Sequence, residues 1–232
     1  MEQSSIPSLD EFNPEEMREN YTAMIVAKRG SGKSTLIKDL VMETNVQFDQ
    51  VIVFSDTAFN KFYDGWVDEI YQAFEPEVLE VLLLEQTLAP AEERPTILII
   101  IDDTSKEDIY SSPVLSKLFT QGRHFGISVI LSLQKLQMTN TTTRENVDYV
   151  FILSQYNKKT IDTIIEEYMD FSDAKFDRKY KYKLRSREIL DHYTQDFNLL
   201  VRDTVARSHK VEDVLFSYRA RIWDIEFEDE KK

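Results

Sequence analysis

The feature that most constrains the fold is a glycine-rich turn set between an apolar run and a helical pattern. The apolar run is Thr22–Ala27, and the helical pattern begins near Thr35. The turn follows the phosphate-loop spacing, with Ala27 in the place of the first glycine. Its residues are Ala27, Lys28, Arg29, Gly30, Ser31, Gly32, Lys33, Ser34 and Thr35. A strand, a glycine loop and a helix in this order predict a phosphate-binding unit of an α/β sheet.

The residue types of this turn suit a triphosphate. Gly30 and Gly32 let successive backbone N–H groups surround phosphate oxygens at the positive end of the following helix. Lys33 can reach the β- and γ-phosphates, and the Ser34 hydroxyl can coordinate Mg²⁺. The alternative is an ordinary strand–helix turn, and the complete order of strand, turn, Gly-Lys-Ser and helix argues against it. We therefore predict a site for a nucleoside triphosphate with Mg²⁺, built from the turn residues.

Apolar runs of strand length alternate with helical patterns along the chain. The predicted strands are Thr22–Ala27, Val51–Phe54, Thr96–Ile101, Ile127–Leu133, Tyr149–Leu153 and Phe197–Val201. The predicted helices are Ser34–Glu43, Val67–Phe74, Val78–Leu83, Pro113–Thr120 and Lys158–Tyr168. Continuous apolar runs suit strands that are covered on both faces. The alternation predicts an α/β fold, with a mostly parallel central sheet and helices on both faces.

Composition narrows the class of protein. The chain has 232 residues, of which 42% are hydrophobic and 30% charged, as in ordinary globular proteins. The absence of cysteine excludes disulfides and thiolate metal sites. No stretch approaches the ~20 apolar residues of a membrane helix, so no membrane partner is expected. We predict a single domain over residues 1–232, with a basic, aromatic insertion at about 171–190 and acidic termini.

A second chemical signal is an apolar strand that ends in two carboxylates, at Ile97–Asp103. Ligands of open α/β sheets lie at the carboxyl ends of the strands. Asp102 would therefore hold Mg²⁺ through its water shell, and Asp103 would polarise the attacking water as a general base. Aspartates often simply end strands. The assignment thus depends on the phosphate loop, which requires a partner carboxylate further along the chain.

A third segment, Gly122–Gln134, contains an arginine, a second glycine and an apolar strand. Gln134 follows that strand, where an amide could sense the γ-phosphate; a solvated strand end is the alternative. Arg123 is either an ordinary surface arginine or an arginine finger that reaches the γ-phosphate of a neighbouring subunit. Such a finger is worth about 10³–10⁵ in rate. The spacing alone does not choose between these roles.

In combination these motifs resemble the FtsK–HerA superfamily of DNA-pumping ATPases. They are most similar to the genome-packaging ATPases of nucleocytoplasmic large DNA viruses and their virophage relatives. The similar segments are residues 27–35, 97–103, 122–134 and Arg144–Val147. The resemblance implies a RecA-like phosphate-loop NTPase in which Arg123 is the trans-acting finger and Gln134 the sensor. Arg144 is a second candidate for the trans-acting arginine. Asp103 departs from the pattern, because many such motors carry glutamate there.

The same resemblance implies an ATP-hydrolysing motor that drives double-stranded DNA into a preformed capsid. ATP and Mg²⁺ would be bound at the interfaces of a homo-oligomeric ring, either a hexamer or a pentamer. The partners would be duplex DNA and viral capsid vertex proteins. The protein would act in the cytoplasm or viral factory of an infected host cell, or with the virion. A chain without a membrane domain departs from the chromosome-segregating branch of the superfamily.

The charge of the chain is unevenly distributed. The net charge of −14 argues against a protein that coats nucleic acid with its whole surface. Lys175–Arg187 nevertheless carries seven basic residues and one acidic residue, +6 net, so the remainder sums to −20. Its interleaved aromatic rings could stack on bases while its cations bind phosphates. The alternation over Lys179–Leu184 equally fits an edge strand guarded by lysines.

Two other classes of function compete with the motor. A monomeric phosphoryl-transfer enzyme, such as a small-molecule kinase, would need an arginine-rich lid, which residues 175–187 supply poorly. A nucleotide-dependent switch would need a guanine-reading Asn-Lys-x-Asp element, and residues 157–160 end in threonine instead. The acidic termini are expected to be solvated. Within the first of them, Leu9, Phe12 and Met17 are possible docking residues for a capsid.

Overall fold

The computed structural model describes residues 6–104, 107–171, 179–208 and 210–223. The strands are β1 Thr22–Val26, β2 Gln50–Phe54, β3 Glu69–Tyr71, β4 Ile97–Ile101, β5 Ile127–Leu133, β6 Tyr149–Ile152, β7 Asn198–Asp203 and β8 Leu215–Arg219. They form one sheet in the order β3-β2-β4-β5-β1-β6-β7-β8. Strands β1 to β6 are mutually parallel, and β7 runs antiparallel to both of its neighbours. This order brings the carboxyl ends of β1, β4 and β5 to one edge of the sheet.

Helices cover both faces of the sheet. They are α1 Lys33–Glu43, α2 Pro76–Leu88, α3 Pro113–Gln121, α4 Thr141–Glu145, α5 Lys158–Tyr168 and α6 Lys179–Tyr193. Because side chains alternate along a strand, Met24 and Val26 of β1 join one buried cluster, and Ile25 joins the other. Helices α2, α3, α5 and α6 contribute to the first cluster and α1 to the second. The predicted layered α/β architecture is confirmed. Within the described ranges, no helix is long and apolar enough to cross a membrane.

The predicted helix at Val67–Phe74 is wrong, because this segment holds the edge strand β3. The Asp68 carboxylate accepts a hydrogen bond of 2.7 Å from the Val51 N–H, and the Gln50 side chain donates to Glu69 at 2.6 Å. These contacts fix the segment beside β2, where its backbone completes a parallel ladder. The apolar residues recur at a helix-like spacing, but pairing with a neighbouring strand outweighs that local preference.

The apolar side chains of the N-terminal segment are not available for docking, whereas the acidic side chains of its described residues are exposed, as expected. Leu9, Phe12 and Met17 are all buried. The ring of Phe12 makes edge-to-face contacts with Tyr149, Phe151, Phe216 and Tyr218. The backbone follows β8, with a bridge between Glu11 and Ser217. This segment therefore closes the core over β6 and β8, two strands that lie far from it in the sequence.

The basic segment is helical where the structure describes it. Residues from Lys179 onward belong to α6, so the edge-strand interpretation of Lys179–Leu184 is wrong. Ile189 and Leu190 on this helix are buried in the core, whereas Leu184 and Arg185 are exposed. Such a helix places one face against the sheet and leaves cations on the other. The first part of the predicted insertion, residues 172–178, lies outside the described residues.

Candidate nucleotide-binding site

The phosphate loop connects the end of β1 to the start of α1. Gly30 has φ 73° and Gly32 has φ 92°, in the left-handed region that residues with a β-carbon rarely adopt. A β-carbon on Gly30 would meet no atom within 4 Å, so the loop faces open space there. Gly32 is the N-cap of α1, whose first N–H groups have no partner within the helix. The loop thus has the form of an anion cradle at the positive end of a helix.

The remaining loop residues divide between buried and exposed positions. Ala27 is buried at the end of β1, and its small side chain fits where the pattern has glycine. Ser31 is also buried, and its hydroxyl donates a 2.7 Å hydrogen bond to the Lys28 carbonyl, which closes the turn. Arg29 is exposed at the tip, and Thr35 is partly buried in the first turn of α1. All nine predicted residues therefore lie in one continuous loop and helix start.

Gln155 supports this loop from the end of β6, although the sequence analysis did not single it out. With its amide oxygen turned toward the loop, it accepts from the backbone N–H groups of Ala27 at 2.9 Å and Lys28 at 3.2 Å. The contact depends on β6 lying beside β1, which is a property of the sheet order. A glutamine two residues after an apolar strand gives no sequence signal for such a role.

Asp102 and Ser34 meet at the base of the loop. The Ser34 hydroxyl donates to Asp102 Oδ2 at 2.7 Å, and the Tyr63 hydroxyl donates to the same oxygen at 2.6 Å. Asp102 is fully buried, and its Oδ1 finds no hydrogen-bond partner among the residues that the structure describes. A buried carboxylate oxygen without a partner beside a serine hydroxyl suits Mg²⁺, which prefers one or two carboxylates and the oxygens of a bound phosphate. The geometry therefore fits the predicted metal ligands.

Tyr63 is the second residue that the sequence analysis missed. It lies 39 positions before Asp102, in the connection that follows β2, and it is almost completely buried. Burial next to the Asp102 carboxylate raises the pKa of the Tyr63 hydroxyl well above its usual range. The hydroxyl therefore stays protonated and can only donate to that carboxylate. The Tyr63 hydroxyl thus holds Oδ2 of Asp102 in place, while Oδ1 has no hydrogen-bond partner among the described residues.

We expect Tyr63→Phe to lower the free energy of unfolding by about 1.5–3 kcal/mol, because it removes a buried hydrogen bond to a charged group. It should also raise the Mg²⁺ concentration needed for half-maximal nucleotide affinity, since Asp102 loses an anchor. Urea unfolding and Mg²⁺ titrations of nucleotide binding measure the two effects. Tyr71→Phe is the matched control, because it deletes a 2.7 Å hydroxyl contact with Glu69. An unchanged Mg²⁺ requirement in Tyr63→Phe would show that Tyr63 only packs.

Lys33 and Asp103 face each other across the loop. Their Nζ and Oδ1 atoms are 3.5 Å apart, and the Lys33 side chain is only 5% exposed. Asp103 has φ 47°, a left-handed conformation that aspartate tolerates better than most residues. This backbone turn directs its carboxylate toward the phosphate loop. Aspartate, although one methylene shorter than glutamate, therefore reaches the loop lysine.

Gln134 shares a cavity with this ion pair. The cavity has a volume of about 210 Å³, and its lining includes Lys33, Asp103, Ser132 and Gln134. Gln134 is exposed at the carboxyl end of β5, the strand between β1 and β4. The structure thus brings the predicted sensor amide to the same space as the loop lysine and the second aspartate.

The two candidate arginines differ in their surroundings. Arg144 is tied within its own chain: it donates to Glu167 at 2.8 Å and to the Thr139 carbonyl. Arg123 is exposed and makes no hydrogen bond or ion pair with the residues that the structure describes. It precedes β5, whereas Gln134 follows it, and a strand of seven residues spans about 20 Å. Arg123 therefore cannot reach the phosphate loop of its own chain.

The fold and the site together define an α/β protein with a phosphate loop, whose site suits a nucleoside triphosphate. A glycine cradle, a buried lysine and a carboxylate meet at the carboxyl ends of parallel strands, as is typical of phosphate-loop proteins, and Asp103 adds a second carboxylate beside Lys33. More narrowly, the chain belongs to the family described as Poxvirus A32 protein, whose model matches residues 9–184.

Relatives occur in other viruses. Protein 015R of frog virus 3 (isolate Goorha) is 26% identical over 204 residues, which are 85% of this chain and 61% of that protein. Protein L437 of Acanthamoeba polyphaga mimivirus is 23% identical over 230 residues, which are 92% of this chain and 77% of that protein. The chain thus spans less than two thirds of the frog virus protein.

Solved structures show the same fold. The genome packaging NTPase B204 of Sulfolobus turreted icosahedral virus 2, in complex with ATP-gammaS, matches with a TM-score of 0.58 at 15% identity. The match covers 89% of this chain and 100% of B204. The cytoplasmic domain of the type VII secretion ATPase EccC of Thermomonospora curvata has a TM-score of 0.55 at 16% identity, covering 87% of this chain and 25% of EccC. The predicted fold class and the predicted resemblance are confirmed.

Proposed function

We propose that the chain is an ATP-driven motor that moves double-stranded viral DNA into a preformed capsid. The observation that carries this proposal is the convergence of Lys33, Ser34 and both aspartates on the phosphate loop, within a chain of the Poxvirus A32 family. The likeness to B204, which is described as a DNA-packaging ATPase, supports the same activity. The complexes of B204 with ATP-gammaS and AMPPCP support ATP as the nucleotide.

The roles in hydrolysis follow from the positions of the side chains. The loop N–H groups and Lys33 bind the phosphates, and their charge is preorganised before the reaction begins. Asp102 and Ser34 would hold Mg²⁺, which would neutralise charge on the phosphate oxygens. Asp103 accepts a proton from the attacking water, whose oxygen forms the new bond to the γ-phosphorus as the bond to the β-phosphate oxygen breaks. The 210 Å³ cavity beside Lys33 is the space for that water.

A second subunit is needed to complete the site. Arg123 lies at the end of β5 that faces away from its own phosphate loop, so we assign it to the γ-phosphate of a neighbouring copy. In a ring of five or six subunits, every Arg123 would face the γ-phosphate of a neighbour, because head-to-tail contacts can close into rings. Gln134 would report the loss of the γ-phosphate to the segments that hold DNA.

The exposed face of α6 is our candidate for part of the DNA contact. Arg185 is exposed on this helix, whereas Lys183 pairs with Glu166 and Arg187 lies 3.8 Å from Asp191. A ring would gather one such face from each subunit, so a chain of net charge −14 can still line a channel with cations. Capsid vertex proteins would be the docking partner, in the infected host cell. Because α6 would bind DNA through its phosphates, this binding to DNA would weaken steeply as the salt concentration rises.

The test is the rate of ATP hydrolysis with and without linear duplex DNA, measured over a range of protein concentrations. A ring motor should be stimulated by DNA, and its specific activity should rise steeply with concentration as interfaces form. A monomeric kinase, the alternative, should show neither effect and should depend on a small acceptor molecule. Arg185→Glu, with Arg219→Glu at an exposed position of β8 as a control for the same change in charge, separates DNA contact from nonspecific effects. A rate that is independent of both DNA and concentration would contradict the motor.

A further inference from the structure

A second cavity lies on the other side of the phosphate loop. It has a volume of about 650 Å³, and its wall includes Lys28, Gly30 and Ser31 from the first half of the loop. The loop thus separates this large cavity from the 210 Å³ space that contains Lys33 and Asp103. Small-molecule sites have volumes of about 300–1,000 Å³. Only the larger of these two cavities falls in that range.

The two cavities determine how a bound nucleotide would be oriented. Lys33 and Asp103 are the groups that act on the terminal phosphate, so that end lies in the small cavity. A nucleotide held in this way must extend its ribose and base away from Asp103. The loop between β6 and α5 and the connection from α6 to β7 form the wall on that side. Of these two segments, only the first has been given a role so far, because its Gln155 supports the phosphate loop.

Two exposed aromatic rings stand in that wall. Phe197 is 66% exposed, and Tyr156 is 77% exposed. Phe197 Cδ1 would be 3.7 Å from a β-carbon on Gly32, so the ring lies directly against the phosphate loop. Every nucleobase has a flat face on which such exposed aromatic rings can stack.

The backbone beneath Phe197 is strained. Asp196 has φ 50° and Phe197 has φ 63°, two consecutive left-handed residues without a glycine. For a bulky side chain this conformation is a true outlier, and such strain is concentrated at ligand sites. The strained turn is what directs the ring of Phe197 toward Gly32 instead of into the core.

The charges of this wall cancel. Lys28 and Arg187 are balanced by Asp191 and Asp196, and Lys28 Nζ lies 3.7 Å from the centroid of the Tyr156 ring. A wall without net charge suits the uncharged end of a nucleotide better than a further phosphate or a DNA backbone. The carboxylates only accept hydrogen bonds, so they match ribose hydroxyls or an exocyclic amino group.

We infer that this cavity binds the ribose and nucleobase of the substrate, with the base against the rings of Phe197 and Tyr156. The inference rests on the proposed function, and it adds the part of the site that distinguishes a nucleotide from a bare triphosphate. Phe197 and Tyr156 are then determinants of affinity for the nucleoside and take no part in the bond-breaking step.

The test compares binding of AMPPCP with binding of inorganic tripolyphosphate, both with Mg²⁺, by calorimetry. Phe197→Gly removes the ring and keeps a residue that tolerates φ 63°, so the fold is preserved. Tyr156→Ala removes the second ring, and Phe59→Ala, an equally exposed ring elsewhere, is the control. We expect each of the first two variants to bind AMPPCP about 5- to 100-fold more weakly, as loss of base stacking predicts. Tripolyphosphate affinity should be unchanged in all three.

The outcomes separate this inference from the proposed function. AMPPCP binding that is insensitive to both ring substitutions would overturn the base site alone. An equal loss of AMPPCP and tripolyphosphate affinity would also overturn it, since the rings would then act on the phosphate loop itself. If the unaltered protein bound neither ligand, with Lys33→Ala giving the same result, the proposed function would fail and this inference with it.

Discussion

Replacement of Asp103 by asparagine is expected to lower the rate of ATP hydrolysis about 10²- to 10⁴-fold while ATP binding is retained. A general base contributes about this much to a rate. Asparagine has nearly the same size, and it tolerates the left-handed backbone that Asp103 adopts at φ 47°. The variant should therefore fold normally but lack a group that can take a proton from water. Lys33, which is freed from its ion pair, still faces the phosphates.

Single-turnover hydrolysis and nucleotide affinity should be measured on the same preparation. Glu80→Gln, which neutralises an exposed carboxylate on α2, is the control and should behave like the unaltered protein. Asp103→Glu is informative as well, because its side chain is one methylene longer and tests the reach of the carboxylate to the attacking water. A hydrolysis rate within a few-fold of normal in Asp103→Asn would mean that another group activates the water.

The second large effect is expected from Arg123. Its replacement by alanine should reduce hydrolysis about 10³- to 10⁵-fold, the value of an arginine finger that stabilises charge on the transferred phosphoryl group. Arg123 and the phosphate loop of one chain lie at opposite ends of the parallel strands. The loss of hydrolysis must therefore arise from contacts between subunits. Mixing Arg123→Ala with Lys33→Ala should then restore part of the activity. In an equimolar mixture, roughly a quarter of the head-to-tail interfaces would combine an intact loop with an intact arginine.

Arg144→Ala is the matched comparison. Arg144 is anchored to Glu167 and to the Thr139 carbonyl, so its removal should lower the free energy of unfolding and leave hydrolysis largely intact. If Arg144→Ala instead lost hydrolysis and recovered it on mixing with Lys33→Ala, the trans-acting role would pass to Arg144. Absence of any recovery for Arg123→Ala would argue against a site shared between subunits.

The site could be predicted from the sequence where it depends on local order. The loop from Ala27 to Thr35 is a continuous segment whose residue types indicate phosphate binding. The strand that ends in Asp102 and Asp103 is another, and its carboxylates indicate binding of a metal ion and water. Gln134 could be placed because it follows an apolar strand, and parallel strands end at a common edge. The six inner strands of the sheet were predicted for the same reason, since each contains a continuous apolar run, whereas the two edge strands β3 and β8 were not predicted.

What could not be predicted depends on contacts between distant segments. Tyr63 reaches Asp102 across 39 residues, and Gln155 reaches the loop only because β6 pairs with β1. The sequence predicts Phe12 as a candidate docking residue, but the rings that bury it come from β6 and β8. The segment around Glu69 has a helical spacing and is a strand because β2 offers an unpaired edge. In each case the partner, and not the local pattern, determines the outcome.

Strand β5 has a mechanical consequence for an assembly of such subunits. All seven of its residues are buried between β4 and β1, and close-packed interiors shift as units and resist bending. In the proposed ring, Gln134 would stand at one end of β5, beside the nucleotide of its own chain, and Arg123 would stand at the other end, facing the neighbouring subunit. A displacement of Gln134 would therefore be transmitted through the strand to Arg123 with little loss. The strand would then couple the two sites mechanically, so that hydrolysis in one subunit determines when hydrolysis occurs in its neighbour.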